Sequence, residues 1–169
     1  TDYLEDKNYW GLSSLLRTGD YFNVQMCYHD IPERLNPFDY ETFDKNPSKG
    51  YAVVTNIETG LAEYLPMKNM HRNIDAVRAS ASMPLVSRPV EINGKLYLDG
   101  GLADSIPLLH AVTDGCRKNV VVMTKETGYR RVQPKHLELI KARYAKYPKV
   151  YELMANLSLI HISEPTRLR

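Results

Sequence analysis

Two stretches of the chain are almost continuously apolar and β-branched: Tyr51-Ala52-Val53-Val54-Thr55-Asn56-Ile57 and Asn119-Val120-Val121-Val122-Met123-Thr124. Runs of that kind suit strands covered on both faces, whereas a half-solvated strand alternates strictly. After the first run, Glu58-Thr59-Gly60 reads as a turn, and Leu61–Leu65 alternates as a returning antiparallel strand. Val90-Glu91-Ile92 and Leu96-Tyr97-Leu98 flank Asn93-Gly94, a dipeptide that favours the tightest hairpin turns. Helical spacing fills the intervals. Residues 9–18 are expected to pack through Trp10, Leu12, Leu15 and Leu16. Asn73 stands where a cap would open a helix over 74–82, with Ile74, Val77 and Ala81 inward and Pro84 as its end. Pro107 opens another helix to about Asp114, which Gly115 closes. A last helix starts at Pro134 with Leu137, Ile140, Tyr144 and Tyr147 on one stripe; Pro148 breaks it, and a further piece carries Val150, Leu153 and Met154.

Between these elements, Pro32, Pro37 and Pro47 punctuate residues 30–50, which should form short helical turns and loops with Phe38, Tyr40 and Phe43 inward. Lys125 to Gln133 reads as loop. Buried strands alternating with helices predict an α/β fold with a mostly parallel sheet and helices on both faces.

Composition narrows the picture little. The 169 residues fit one domain, and 43% hydrophobic with 25% charged side chains is ordinary for a globular protein. A net charge of +2 is too small to argue for nucleic acid. No apolar run approaches the ~20 residues of a membrane span. Cys27 and Cys116 form no CxxC pair, so neither a disulfide framework nor a zinc site is expected. The chain opens at Thr1 without an initiator Met, as a segment of a longer reading frame would. Residues 157–167 match the in-frame translation of a transposase adapter used in sequencing libraries, so 157–169 are read as a non-native tail, and His161 and Ser163 are not recruited as functional residues.

The chemistry concentrates in Lys95-Leu96-Tyr97-Leu98-Asp99-Gly100-Gly101. A strand runs out at one carboxylate followed by two glycines, which let another backbone or a ligand come close. A carboxylate there is placed to act as a base toward a serine hydroxyl within ~3 Å. The alternative is a turn in which Asp99 bonds its own backbone. His29, His71, His110 and His136 follow no metal-ligand spacing, and no metal or cofactor is expected. Neither apolar run leads into a GxGxxG or GxxxxGK[ST] loop, which argues against a nucleotide site.

The set Arg78-Ala79-Ser80-Ala81-Ser82-Met83-Pro84-Leu85-Val86, Asn93 to Gly101 and Asp104-Ser105-Ile106-Pro107 resembles the patatin-like phospholipase family, most of all its bacterial members. The likeness extends through Ser14-Leu15-Leu16-Arg17-Thr18-Gly19-Asp20, Pro37-Phe38-Asp39-Tyr40, Val53-Val54-Thr55-Asn56 and Thr127-Gly128-Tyr129-Arg130-Arg131. The resemblance implies a three-layer α/β/α sandwich and a Ser-Asp dyad that cleaves phospholipid or other acyl esters without a catalytic His. Asp99 matches the family's aspartate. Gly100 and Gly101 match the glycines that shape the turn at the substrate site. Ser80, Ser82 and Pro84 fall where the resemblance places the wall of the cleft.

The family's Gly-x-Ser-x-Gly elbow and its glycine-rich oxyanion loop are absent. Gly11-Leu12-Ser13-Ser14-Leu15 is the nearest approach and reads as a helix start. Residues 1–156 are therefore expected to be the C-terminal part of a patatin-like domain, incomplete at its N-terminus, inactive alone and poorly soluble, from a cytoplasmic bacterial parent. Arg130, Arg131, Lys135, Lys141, Arg143, Lys146 and Lys149 gather around the last helix. They read as a solvated face or as a peripheral contact with anionic membranes, worth ~1 kcal/mol per basic side chain. A non-catalytic α/β interaction module, with Asp99 purely structural, is the competing function.

Overall fold

The structure is a computed structural model that describes residues 3–122 and 136–156. Its centre is a four-stranded sheet in the order β2-β1-β4-β3, with β1 Tyr51–Asn56, β2 Ala62–Pro66, β3 Val90–Ile92 and β4 Lys95–Asp99. Every pairing is antiparallel, including the central β1–β4 pair, in which Val54 faces Asp99 and Thr55 faces Leu98. The expected mostly parallel sheet is thus corrected. Strands joined by turns as short as Glu58-Thr59-Gly60 and Asn93-Gly94 return on themselves; parallel neighbours need a crossover of a dozen residues or more. Asn93 and Gly94 both have positive φ, 52° and 75°, as the tight hairpin turn requires.

The described residues also form six short α-helices: α1 Leu12–Thr18, α2 Tyr40–Lys45, α3 Ile74–Ser80, α4 Leu108–Thr113, α5 Leu137–Arg143 and α6 Pro148–Asn156. A π-helical stretch, Met26–Leu35, includes Pro32. Alternation along β4 sends Leu98 and Tyr97 to opposite faces. On the Leu98 face, Ile57, Leu98 and Leu102 pack with Ile140, Tyr144 and Val150 of the C-terminal helices. On the Tyr97 face, Val54, Val90 and Tyr97 pack with Ala79 of α3. The first apolar run is covered as expected, with Val54, Thr55 and Ile57 at 0% exposure.

Several packing expectations are corrected. Helix α1 turns Ser14 inward and leaves Trp10, Leu12 and Leu16 exposed. Helix α3 buries Ala76 and Ala79, while Ala81 lies exposed beyond its end. Phe38 is exposed and packs in a ring cluster with Tyr40 and Phe43. Residues 119–122 form no strand, and Val120 and Val122 are 93% and 83% exposed. The remainder of that run, the 125–133 loop, Pro134 and the 157–169 tail lie outside the described residues.

Two features lock the sheet. A Cβ on Gly100 would stand 2.2 Å from the Val53 carbonyl oxygen, so only glycine lets the turn after β4 sit on β1. Across the Tyr97 face, the Glu63 carboxylate accepts hydrogen bonds from Asn56 Nδ2 (2.9 Å), Tyr97 Oη (2.7 Å) and Lys95 Nζ (3.2 Å). Burial of Glu63 works to raise its pKa, but these three donors and the Lys95 charge outweigh it and hold the carboxyl below its usual range.

Replacing Gly100 by Ala should cost about 3 kcal/mol or more, because backbone rather than a flexible side chain must move. An unchanged urea midpoint would contradict this contact. A second expectation concerns base. Burial first, then the neighbouring carboxylates, push the Tyr97 and Tyr64 hydroxyls from 10.0 up to about 12. Both release their protons more readily when unfolded, so their contribution is intact below pH 10.0 and disappears as pH climbs through about 12. Unfolding titrations over that window should show stability falling more steeply than in Tyr97→Phe; identical slopes would refute the Tyr97–Glu63 coupling.

Candidate functional site

Asp99 is the last residue of β4, and strand alternation places its side chain on the Tyr97 face, half-buried. The strand stops there because the chain turns into a single 3₁₀ turn, Gly100–Leu102, on Gly100's close approach to Val53. Asp99 caps that turn. Its Oδ1 accepts the Gly101 N–H at 2.7 Å. A Cβ on Gly101 would stand 3.0 Å from the same oxygen, so the second glycine keeps the carboxylate's flank open.

The main chain of Asp99 is fixed on both sides. Its N–H donates to the Ser82 carbonyl at 2.9 Å, and its carbonyl accepts the hydroxyl of fully buried Thr55 at 2.8 Å. Beyond it, the Gly100 carbonyl accepts the Asp104 N–H (2.8 Å), and the Gly101 carbonyl accepts the Ser105 hydroxyl (2.8 Å). Tyr64 Oη donates to the Asp104 carboxylate at 2.6 Å. Both glycine carbonyls are thus occupied downstream, and the carboxylate is held by a backbone N–H. Such an arrangement presents a carboxylate in one fixed orientation, as a general base or charge stabiliser needs.

Of the expected wall residues, Ser82 meets this turn through its carbonyl. Ser82 is buried and its hydroxyl donates to the Arg78 carbonyl at 2.8 Å; Ser80 and Pro84 are half-buried. A cavity of about 320 Å³ reaches Ser82 and is walled by Tyr9, Phe22, Val24, Cys27 and Arg78. Burial raises the Cys27 thiol, with a hydrogen bond from Tyr9 opposing in part, so Cys27 is a poor nucleophile there.

The histidines do not converge on Asp99. His29 and His71 flank Glu33, at 3.5 and 3.6 Å. His110 stacks on Tyr64 at 3.7 Å between ring centroids, on the sheet face opposite Asp99. His136 stands exposed before α5. Among the described residues, no group of three or more His, Cys, Asp or Glu is placed to hold a metal ion. Ser13 is exposed at the start of α1. Of the basic residues, Lys149 pairs with Glu152 at 2.7 Å, Lys141 lies 5.8 Å over the Tyr151 ring, and Arg143 and Lys146 are exposed; Arg130, Arg131 and Lys135 lie outside the described residues. No helix among the described residues is long and apolar enough to cross a membrane.

Sequence reasoning singled out Asp99 but missed its supports. A threonine directly after the apolar Ala52-Val53-Val54 was the available signal for Thr55. The carbonyl of Ser82 left no trace in residue type, because any residue supplies one.

The sequence profile described as patatin-like phospholipase matches residues 2–112, about two thirds of the chain, and that stretch carries Asp99, Gly100 and Gly101. Uncharacterized protein YjjU of Escherichia coli (strain K12) is 39% identical over 62 residues, 36% of this chain but only 17% of that protein's length. No solved structure matches. The chain belongs to the patatin-like phospholipase family, whose domain is that of lipid acyl hydrolases.

Proposed function

We propose that this chain is the C-terminal part of a bacterial, cytoplasmic lipid acyl hydrolase, and that Asp99 is the base of its Ser-Asp dyad. The serine would come from the part of the domain outside these 169 residues. The single observation that carries the reading is the Asp99 turn. A half-buried carboxylate that accepts the Gly101 N–H ends a central strand whose main chain at Asp99 is fixed by Thr55 and Ser82, within the family match.

In the reaction, Asp99 takes the proton from the serine hydroxyl as its oxygen attacks the acyl carbonyl. It returns that proton to the departing alcohol as the ester bond breaks. Water then attacks the acyl-serine, with Asp99 again receiving and passing on the proton, and the fatty acid leaves. Gly100 seats the turn on β1, and Gly101 keeps a side chain off the Asp99 carboxylate. Phospholipids or other acyl esters are the substrates. The exposed Arg143 and Lys146 would favour an anionic lipid surface as the place where substrate is met.

In the full-length protein, Asp99→Asn should lower p-nitrophenyl ester turnover by about 10²–10⁴-fold while the unfolding midpoint stays close to that of the parent. Residues 1–169 alone should show no turnover. Retained hydrolysis by Asp99→Asn would refute the dyad. A residue other than serine at the elbow of the parent would favour the non-catalytic module instead.

A further inference from the structure

Asp20 is a carboxylate only 3% exposed, in the turn after α1. A buried charge is costly unless paired and fully hydrogen-bonded. Asp20 meets both conditions through one residue far along the chain. Its Oδ1 accepts the Arg88 backbone N–H at 2.8 Å, and its Oδ2 accepts Arg88 Nε (2.9 Å) and Nη2 (2.8 Å).

The neighbours of Asp20 serve the same grip. Gly19, at φ 81°, leaves the room in which Arg88 lies: a Cβ there would stand 2.8 Å from Arg88 Cδ. The Tyr21 N–H donates to the Val86 carbonyl at 2.7 Å. The sequence Thr18-Gly19-Asp20-Tyr21 therefore seizes the loop that runs from α3 to β3 at two points.

That loop is the one that holds Asp99. It begins at Ser82, whose carbonyl accepts the Asp99 N–H, and it contains Leu85 at φ 72°, a strained backbone for a residue with a branched side chain. Strain of that kind persists only where the surroundings over-determine the conformation. Leu85 packs against the Leu98 core, and the Asp20–Arg88 fork fixes the loop's far end.

We infer that Asp20 is a positioning residue: through its fork with Arg88 it sets the 82–88 loop, and through the Ser82 carbonyl it sets the Asp99 carboxylate. The inference rests on Asp99 being the base, and its first readout is independent of activity. In the full-length protein, Asp20→Asn should speed hydrogen exchange at the Asp99 amide by about tenfold or more, while the β1–β2 ladder exchanges as in the parent. The kcat for a p-nitrophenyl ester, per mole of folded protein, should fall by about 10²-fold at nearly constant KM. Arg88→Lys keeps the charge and the backbone N–H but loses the planar fork, so both changes should recur in smaller measure.

A uniform rise in exchange over the whole sheet would mean a merely structural role and would overturn the inference. So would unchanged exchange at Asp99 in either folded variant. If Asp20→Asn fails to fold, Arg88→Lys decides alone by the same criterion. Full turnover in Asp99→Asn would instead remove the dyad reading, and the exchange data would still decide whether Asp20 orders the Asp99 turn.

Discussion

The contact on which the rest depends is the seating of Gly100 on the Val53 carbonyl. With space for no Cβ at all, the chain leaving β4 drops directly onto β1 and must turn within three residues. That forced turn aims the Gly101 N–H back at the Asp99 carboxylate. It also brings the Asp99 carbonyl to the buried hydroxyl of Thr55 on the same neighbouring strand. The geometry of the carboxylate is therefore a by-product of sheet packing, and a glycine two strands deep in the core matters as much to it as any residue near the cleft.

The sheet has two covered faces, and their covers come from different parts of the chain. Helix α3 dresses the Tyr97 side, where Asp99 also points. The C-terminal helices dress the Leu98 side. Half-buried carboxylates beside the sheet gather donors: Glu63 accepts from Asn56, Lys95 and Tyr97, and Asp104 from Tyr64. Each joins residues distant in sequence, so each fixes register as well as energy.

What was legible in the sequence were the local signals. The Asn93-Gly94 turn, the Tyr51–Asn56 strand, and the punctuation of α4 by Pro107 and Gly115 all follow from φ restrictions and side-chain branching. The two hairpins were legible as antiparallel from their turns, but the direction of the central β1–β4 pair, which no short turn joins, was not: alternation with helices suggested parallel neighbours, and the pair is antiparallel. Cover was the other blind spot. The Asn119–Val122 run is as β-prone as β1, but neither sheet edge, β2 or β3, pairs with it, and hydrophobicity asks for a partner without naming one. The Asp99 turn was visible because Asp-Gly-Gly is a conspicuous run; its supports, one threonine, one carbonyl and a carboxylate 68 residues from its arginine, are set by tertiary contact alone.

The central claim is geometric: a carboxylate held ready for a hydroxyl supplied by another part of the domain. A crystal structure of the full-length protein measures that relation directly. The account predicts a serine Oγ, on a sharp strand-to-helix turn, within about 3 Å of the Asp99 carboxylate and bordering the Gly100-Gly101 turn. A serine elsewhere, with Asp99 facing protein packing and outside hydrogen-bond reach of any nucleophile, would contradict it.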